Sequence, residues 1–243
     1  MMMYSRMMCY CTVLLILVAA PTVGAAQATP VSTNNIIYLN SPHTINTANF
    51  GDRGGSKGTS SGGWSDFVMQ LRACRAFSLG AGSTMSGRSA HYWSKIGQGF
   101  RVMQGSYGSK SREATIKIIG NYSGRIRAAA LASAHVKIRV VVTDNGTQVA
   151  EKQILDRSGV GSAWQNSSGG IGEEMNVTLK DTHTYCVYLH LETSAQASLA
   201  GSAEVDFGKG NFRVGYTSIA INFLPAAIPA GKTPAGRKDT KFK

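Results

Sequence analysis

Between Arg125 and Val142, apolar and polar positions alternate with period two. Ile126, Ala128, Ala130, Ala132, Ala134, Val136, Ile138, Val140 and Val142 share one face. Arg125, Arg127, Ser133, His135, Lys137 and Arg139 share the other. A helix would scatter these two sets around its circumference, whereas a strand sorts them onto opposite faces. The pattern predicts one long strand. Asp144-Asn145-Gly146 then supplies a tight hairpin turn, because Asn-Gly accepts positive φ at both central positions. Residues 149–155 return as its partner.

Tyr185, Val187, Leu189 and Leu191 alternate in the same way, and Ala195, Ala197, Leu199, Ala203, Val205 and Phe207 continue the phase. Shorter strands are expected at 36–39, 100–103, 116–118, 176–179 and 211–223. Residues 64–79 fit both periods: Trp64, Phe67, Leu71 and Cys74 have helical spacing, while Phe67, Met69, Leu71 and Ala73 alternate. The strand is the preferred reading there. Gly- and Ser-rich stretches at 51–63, 80–111 and 157–172 read as a flexible segment and two loops. Many strands, Gly-rich turns and no convincing long helix predict an all-β fold. It would be a two-layer antiparallel β-sandwich, with the jelly roll as one such topology.

Domain organisation follows. Residues 1–28 have a short n-region with Arg6, an apolar run from Val13 to Ala20, and Ala26-Gln27-Ala28 as an A-x-A cleavage site, so they read as a secretory signal. That run is far shorter than the roughly 20 residues a bilayer span needs, so no stable membrane span is expected after cleavage. Residues 29–63 form a flexible N-terminal arm, residues 64–224 the sandwich, and residues 225–243 a basic tail without order.

In an exported chain, Cys74 and Cys186 permit one disulfide closing a long loop, worth a few kcal/mol. Four N-x-S/T sequons, at Asn121, Asn145, Asn166 and Asn176, suit surface glycosylation.

Candidate chemistry is sparse. The net charge of +12 favours polyanions. The row Arg125, Arg127, His135, Lys137 and Arg139, with Lys117 beside it, would make a positive stripe if it shares one sheet face. It is equally what an ordinary solvated face carries. Tyr92, Trp93 and Trp164 in loops suit stacking on sugar rings, or plugging the ends of the core. Gly58-Thr59-Ser60-Ser61-Gly62 matches a nucleophile elbow but lacks the strand-to-helix context. Residues 82–89 resemble a phosphate loop with Arg88 where a lysine is needed. His43, His91, His135, His183 and His190 lack metal-ligand spacing, and no C-x-x-C occurs. No catalytic set, metal or cofactor is therefore expected.

Three functions follow in order. The first is a secreted, non-catalytic protein binding an extracellular glycan or acidic polymer. The second is a filament subunit, self-assembling as Ile36 to Leu39 of one copy adds to the sheet edge of the next. The third is a carbohydrate-active enzyme with Glu192 and Glu204 paired across a hairpin near Ser198.

Overall fold

A computed structural model describes residues 37–39, 41–59, 61–81, 88–103, 111–198 and 200–224. The expected signal and all the other residues before Ile37, most of the phosphate-loop-like stretch and the basic tail lie outside the described residues.

The described chain is built from strands: β1 (Ile37–Leu39), β2 (His43–Ile45), β3 (Phe50–Lys57), β4 (Gly62–Val68), β5 (Ala73–Ala81), β6 (Arg88–Val102), β7 (Ser111–Ala129), β8 (Ala132–Asp144), β9 (Thr147–Ser158), β10 (Gly161–Lys180), β11 (Thr184–Ala197), β12 (Ser202–Phe207) and β13 (Arg213–Phe223). The first sheet runs β1-β6-β11-β8-β9, with β3 also on β6. The second runs β10-β7-β12-β5-β13-β2, with β4 also on β5. They pack as the expected β-sandwich. Ile116, Ile118, Ile126 and Phe207 from one sheet meet Ile96, Ile138, Val140 and Leu189 from the other, all fully buried.

The alternating run 125–142 is two strands in two sheets, not one strand. β7 ends in the second sheet, the chain turns at Ala130 and Leu131, and β8 begins in the first. Ala130 takes φ 55° and Leu131 is 67% exposed. The alternation survives the turn because Ala128 and Ala134 face the same core from opposite sides. The 189–207 run does the same: β11 lies in the first sheet and β12 in the second. The two crossings touch, since the Ser198 N–H and hydroxyl both donate to the Leu131 carbonyl, at 3.0 and 2.6 Å.

The described residues of 51–63 are not a flexible segment. β3 pairs with β6 from Phe50 to Lys57, and β4 starts at Gly62, so the expected boundary at residue 64 falls inside the sandwich. The glycines serve packing there: a Cβ on Gly51 would meet the Phe67 ring, and one on Gly54 the Trp93 ring. The aromatic island Tyr92-Trp93 belongs to β6, an interior strand of the first sheet, not to a loop. Residues 161–172, expected as loop, open the long strand β10. The ambiguous 64–79 segment is strand, turned at Arg72 with φ 48°. The Asn145-Gly146 turn has φ 48° and 86°, the positive pair that its hairpin needs.

Ile37–Leu39 pair in parallel with Phe100–Val102 of their own chain. The edge that the filament scheme needed free is satisfied internally. Cys74 and Cys186 are both free and buried. Cys74 faces the core from the second sheet. Cys186 lies in the first, alternating with the core residues Tyr185 and Val187. Stacked sheets lie about 10 Å apart, beyond the ~4.4–6.8 Å between Cα atoms that a disulfide spans.

Candidate functional site

The outward face of the first sheet carries the richest constellation. Cross-strand register fixes its rows. Gly54, Trp93, Glu192 and Lys137 lie side by side across β3, β6, β11 and β8; so do Asp52, Lys95, His190 and Arg139, and then Phe50, Gly97, Tyr188 and Val141. Their chain neighbours Ile96, Leu189, Leu191 and Ile138 are fully buried in the core. The same period-two sorting that builds the core therefore assembles the face.

Two aromatic rings dominate it. Trp93 lies over Gly54, where a Cβ would come within 2.6 Å of the indole. Tyr188 packs against Phe50 at 5.4 Å between centroids, next to Gly97. The Lys95 ammonium sits above both, 4.7 Å from the Trp93 centroid and 5.6 Å from that of Tyr188. Burial pushes the Tyr188 phenol up to about 12, so its hydroxyl remains a donor at neutral pH.

Polar groups between the rings are held in a chain. Arg139 donates to Glu192 Oε2 at 2.7 Å, to Glu151 at 3.4 Å and to His190 Nδ1 at 2.9 Å. Because Arg139 can only donate, His190 Nδ1 accepts and the neutral ring carries its proton on Nε2. That buried Nε2 has no partner. Burial, and then the Arg139 charge, drive the His190 basicity well below the ordinary histidine range. A hydrogen bond from His91 chiefly holds Glu192 well below the carboxylate range, with His190 and Arg139 adding to it. The face thus offers two rings flanking a fixed mixture of donors and acceptors.

The expected basic row is not one stripe. His135, Lys137 and Arg139 lie on β8 in the first sheet, while Arg125, Arg127 and Lys117 lie on β7 in the second. The turn at Ala130 separates them. Most are paired with carboxylates in place: Arg125 with Asp206 at 3.2 Å, Arg127 with Glu204 at 2.8 Å and Lys117 with Glu174 at 2.6 Å, while His135 meets Asp156 at 2.6 Å. The sugar-stacking trio is also dispersed. Trp93 belongs to the outward face of the first sheet and Trp164 to the second sheet. Tyr92 packs against the core and over Gly55 and Gly63.

Glu192 and Glu204 are in different sheets, each turned away from the shared core and each paired with an arginine. They do not form a catalytic pair. Among the described residues, no group of histidine, cysteine or carboxylate side chains is placed to hold a metal. The four sequon asparagines are all exposed. Asn145 sits in the hairpin turn, and Asn121, Asn166 and Asn176 lie on β7 and β10. Tyr188, His190 and Lys95 went unnoticed in the sequence as site residues. Their signal was the polar half of the β11 alternation, Tyr188-x-His190-x-Glu192, opposite Trp93-x-Lys95.

No family model and no curated protein matches the chain. A search of solved structures finds the CBM22-1 xylan-binding domain of Paenibacillus barcinonensis Xyn10C. It is 12% identical over 78% of this chain and 99% of that one, with a TM-score of 0.24. A superposition that loose carries no argument; the sandwich rests on the strands themselves.

Proposed function

We propose that the protein is a non-catalytic carbohydrate-binding sandwich whose site is the outward face of the first sheet. The observation that carries this reading is the row arrangement: Trp93 and Tyr188 bracket the ordered groups Lys95, His190, Arg139 and Glu192. Aromatic faces take the apolar C–H side of a sugar ring, and fixed donors and acceptors take its hydroxyls. A sugar over Trp93 displaces the Lys95 ammonium, a cation–π contact worth about 0.5–1 kcal/mol at an exposed site. The mutual pairing of Arg139, Glu192, His135 and Asp156 favours an uncharged sugar over an acidic polymer. Export and use of the sequons would suit such a role.

Affinity electrophoresis tests it. Gels cast with soluble xylan, mixed-linkage β-glucan or galactomannan should retard the protein in at least one case. Trp93→Ala should weaken that retardation about tenfold or more, as loss of a central aromatic anchor does. Equal mobility of wild type and W93A in every gel would sink the assignment.

A further inference from the structure

We infer that the outward face of the second sheet carries a separate carbohydrate platform centred on Trp164, so that one molecule engages two glycan chains. The inference rests on the glycan reading above but uses none of the same residues.

Trp64, Phe77, Asp206, Arg125 and Asn166 stand in register across β4, β5, β12, β7 and β10. Trp164 lies at the irregularity where β10 begins to pair with β7. Its indole covers two guanidinium groups, Arg125 at 4.2 Å and Arg127 at 4.4 Å from the ring centroid. Those groups are held from below. Asp206, fully buried, accepts from Arg125 Nε and Nη2 at 3.3 and 3.2 Å, and from the Gly208 and Lys209 amides at 3.3 and 3.0 Å. Glu204 accepts from Arg127 at 2.8 Å. The Arg127 Nε is buried and has no partner.

The layering of carboxylate, guanidinium and indole fixes the plane of the ring before any ligand arrives. A ring already ordered removes the rotamer cost that binding otherwise carries. Further along the row, Trp64 lies over Gly208 and is 36% exposed. Between the two indoles the row is filled by the chain itself: the Lys209 ammonium lies 3.7 Å from the Phe77 centroid, and Asp206 is fully buried. The platform is therefore Trp164 itself, at the β10 edge of the sheet, with the two guanidinium groups beside it. An indole held next to fixed guanidinium groups suits a sugar ring stacked on it. The two faces point away from one another, so a single chain cannot occupy both.

The test uses the full chain, the same three polysaccharide gels, and W93A, W164A and the double variant, with thermal unfolding as a folding control. Each single variant should keep partial retardation, and the double variant should lose it. Wild type should also cloud a solution of the retarding polysaccharide, and neither single variant should. W164A running like wild type, or W93A alone abolishing retardation, overturns the second platform; the latter leaves the first face standing. Retardation that survives in the double variant, or wild type unretarded in every gel, overturns both readings. Should W164A fail to fold, W164F keeps the packing. In W93F, tryptophan fluorescence on adding the polysaccharide then reads the second face, and an unchanged spectrum removes the proposal.

Discussion

His190 is a half-buried, neutral imidazole at the centre of an outward sheet face, which makes it sensitive to acid. In the unfolded chain it takes up a proton near the ordinary value of 6.5; in the fold it resists. Its folded basicity is lowered, so the associated stability is complete above pH 6.5 and is lost as pH falls towards the folded value. Glu192 is lowered too, and its contribution is complete above 4.5 and lost at more acid pH. Both therefore weaken the fold in acid, one after the other. Urea unfolding at pH 7.5 and pH 5 should show wild type losing stability, at most about 1.4 kcal/mol per pH unit for one proton. His190→Gln keeps an acceptor for Arg139 and should flatten that loss. An H190Q profile as steep as wild type would assign the acid response elsewhere.

Ala130 shows why the strands were legible and their ends were not. Period-two alternation reports only which face a side chain occupies. A turn that preserves the phase while moving the chain to the other sheet leaves no trace in it. The usual turn marker is absent because alanine occupies the left-handed position. By contrast, Asn145-Gly146 advertised its hairpin. Gly51 and Gly54 misled in the opposite sense, since composition suggested flexibility where aromatic rings need the missing side chains. The site suffered the same way. Tyr188, His190 and Glu192 were visible as the polar half of a strand, but their junction with Trp93 and Lys95 depends on β6 pairing with β11, a long-range contact that local patterning does not encode. At Ala130 the strain is testable. Ala130→Gly relieves a left-handed alanine and should be neutral or stabilising by up to about 1 kcal/mol in equilibrium unfolding. A clear loss would mean that the Ala130 methyl makes a packing contribution larger than its strain.

At the scale of the described molecule, most bases of the expected stripe are compensated where they stand, so the +12 total does not gather there. The bases expected to form one polyanion stripe are divided between opposite faces, and most of them are tied to carboxylates. The thiols are also a whole-molecule matter, since each lies in a different sheet. Burial pushes Cys74 up to about 12 and raises Cys186 as well, so neither is a thiolate at neutral pH. Native protein should therefore resist alkylation by iodoacetamide, and mass spectrometry after denaturation without reductant should show both cysteines labelled. An unlabelled pair under those conditions would reveal a bridge.

The contact between Ser198 and the Leu131 carbonyl works as a clasp between two of the chain's crossings. β7–β8 and β11–β12 pass from one sheet to the other there, while β10–β11 crosses at the opposite end, beside the Asp144–Thr147 hairpin. The sandwich is therefore stitched at both ends, like a sewn seam, and the clasp is a knot at one of them. Amide exchange should accordingly be slower at Ser198 and Gly201 than turn residues normally show, and Ser198→Ala should speed it there first. Unchanged exchange at those two amides in S198A would mean that the Ser198 hydroxyl adds nothing to the knot.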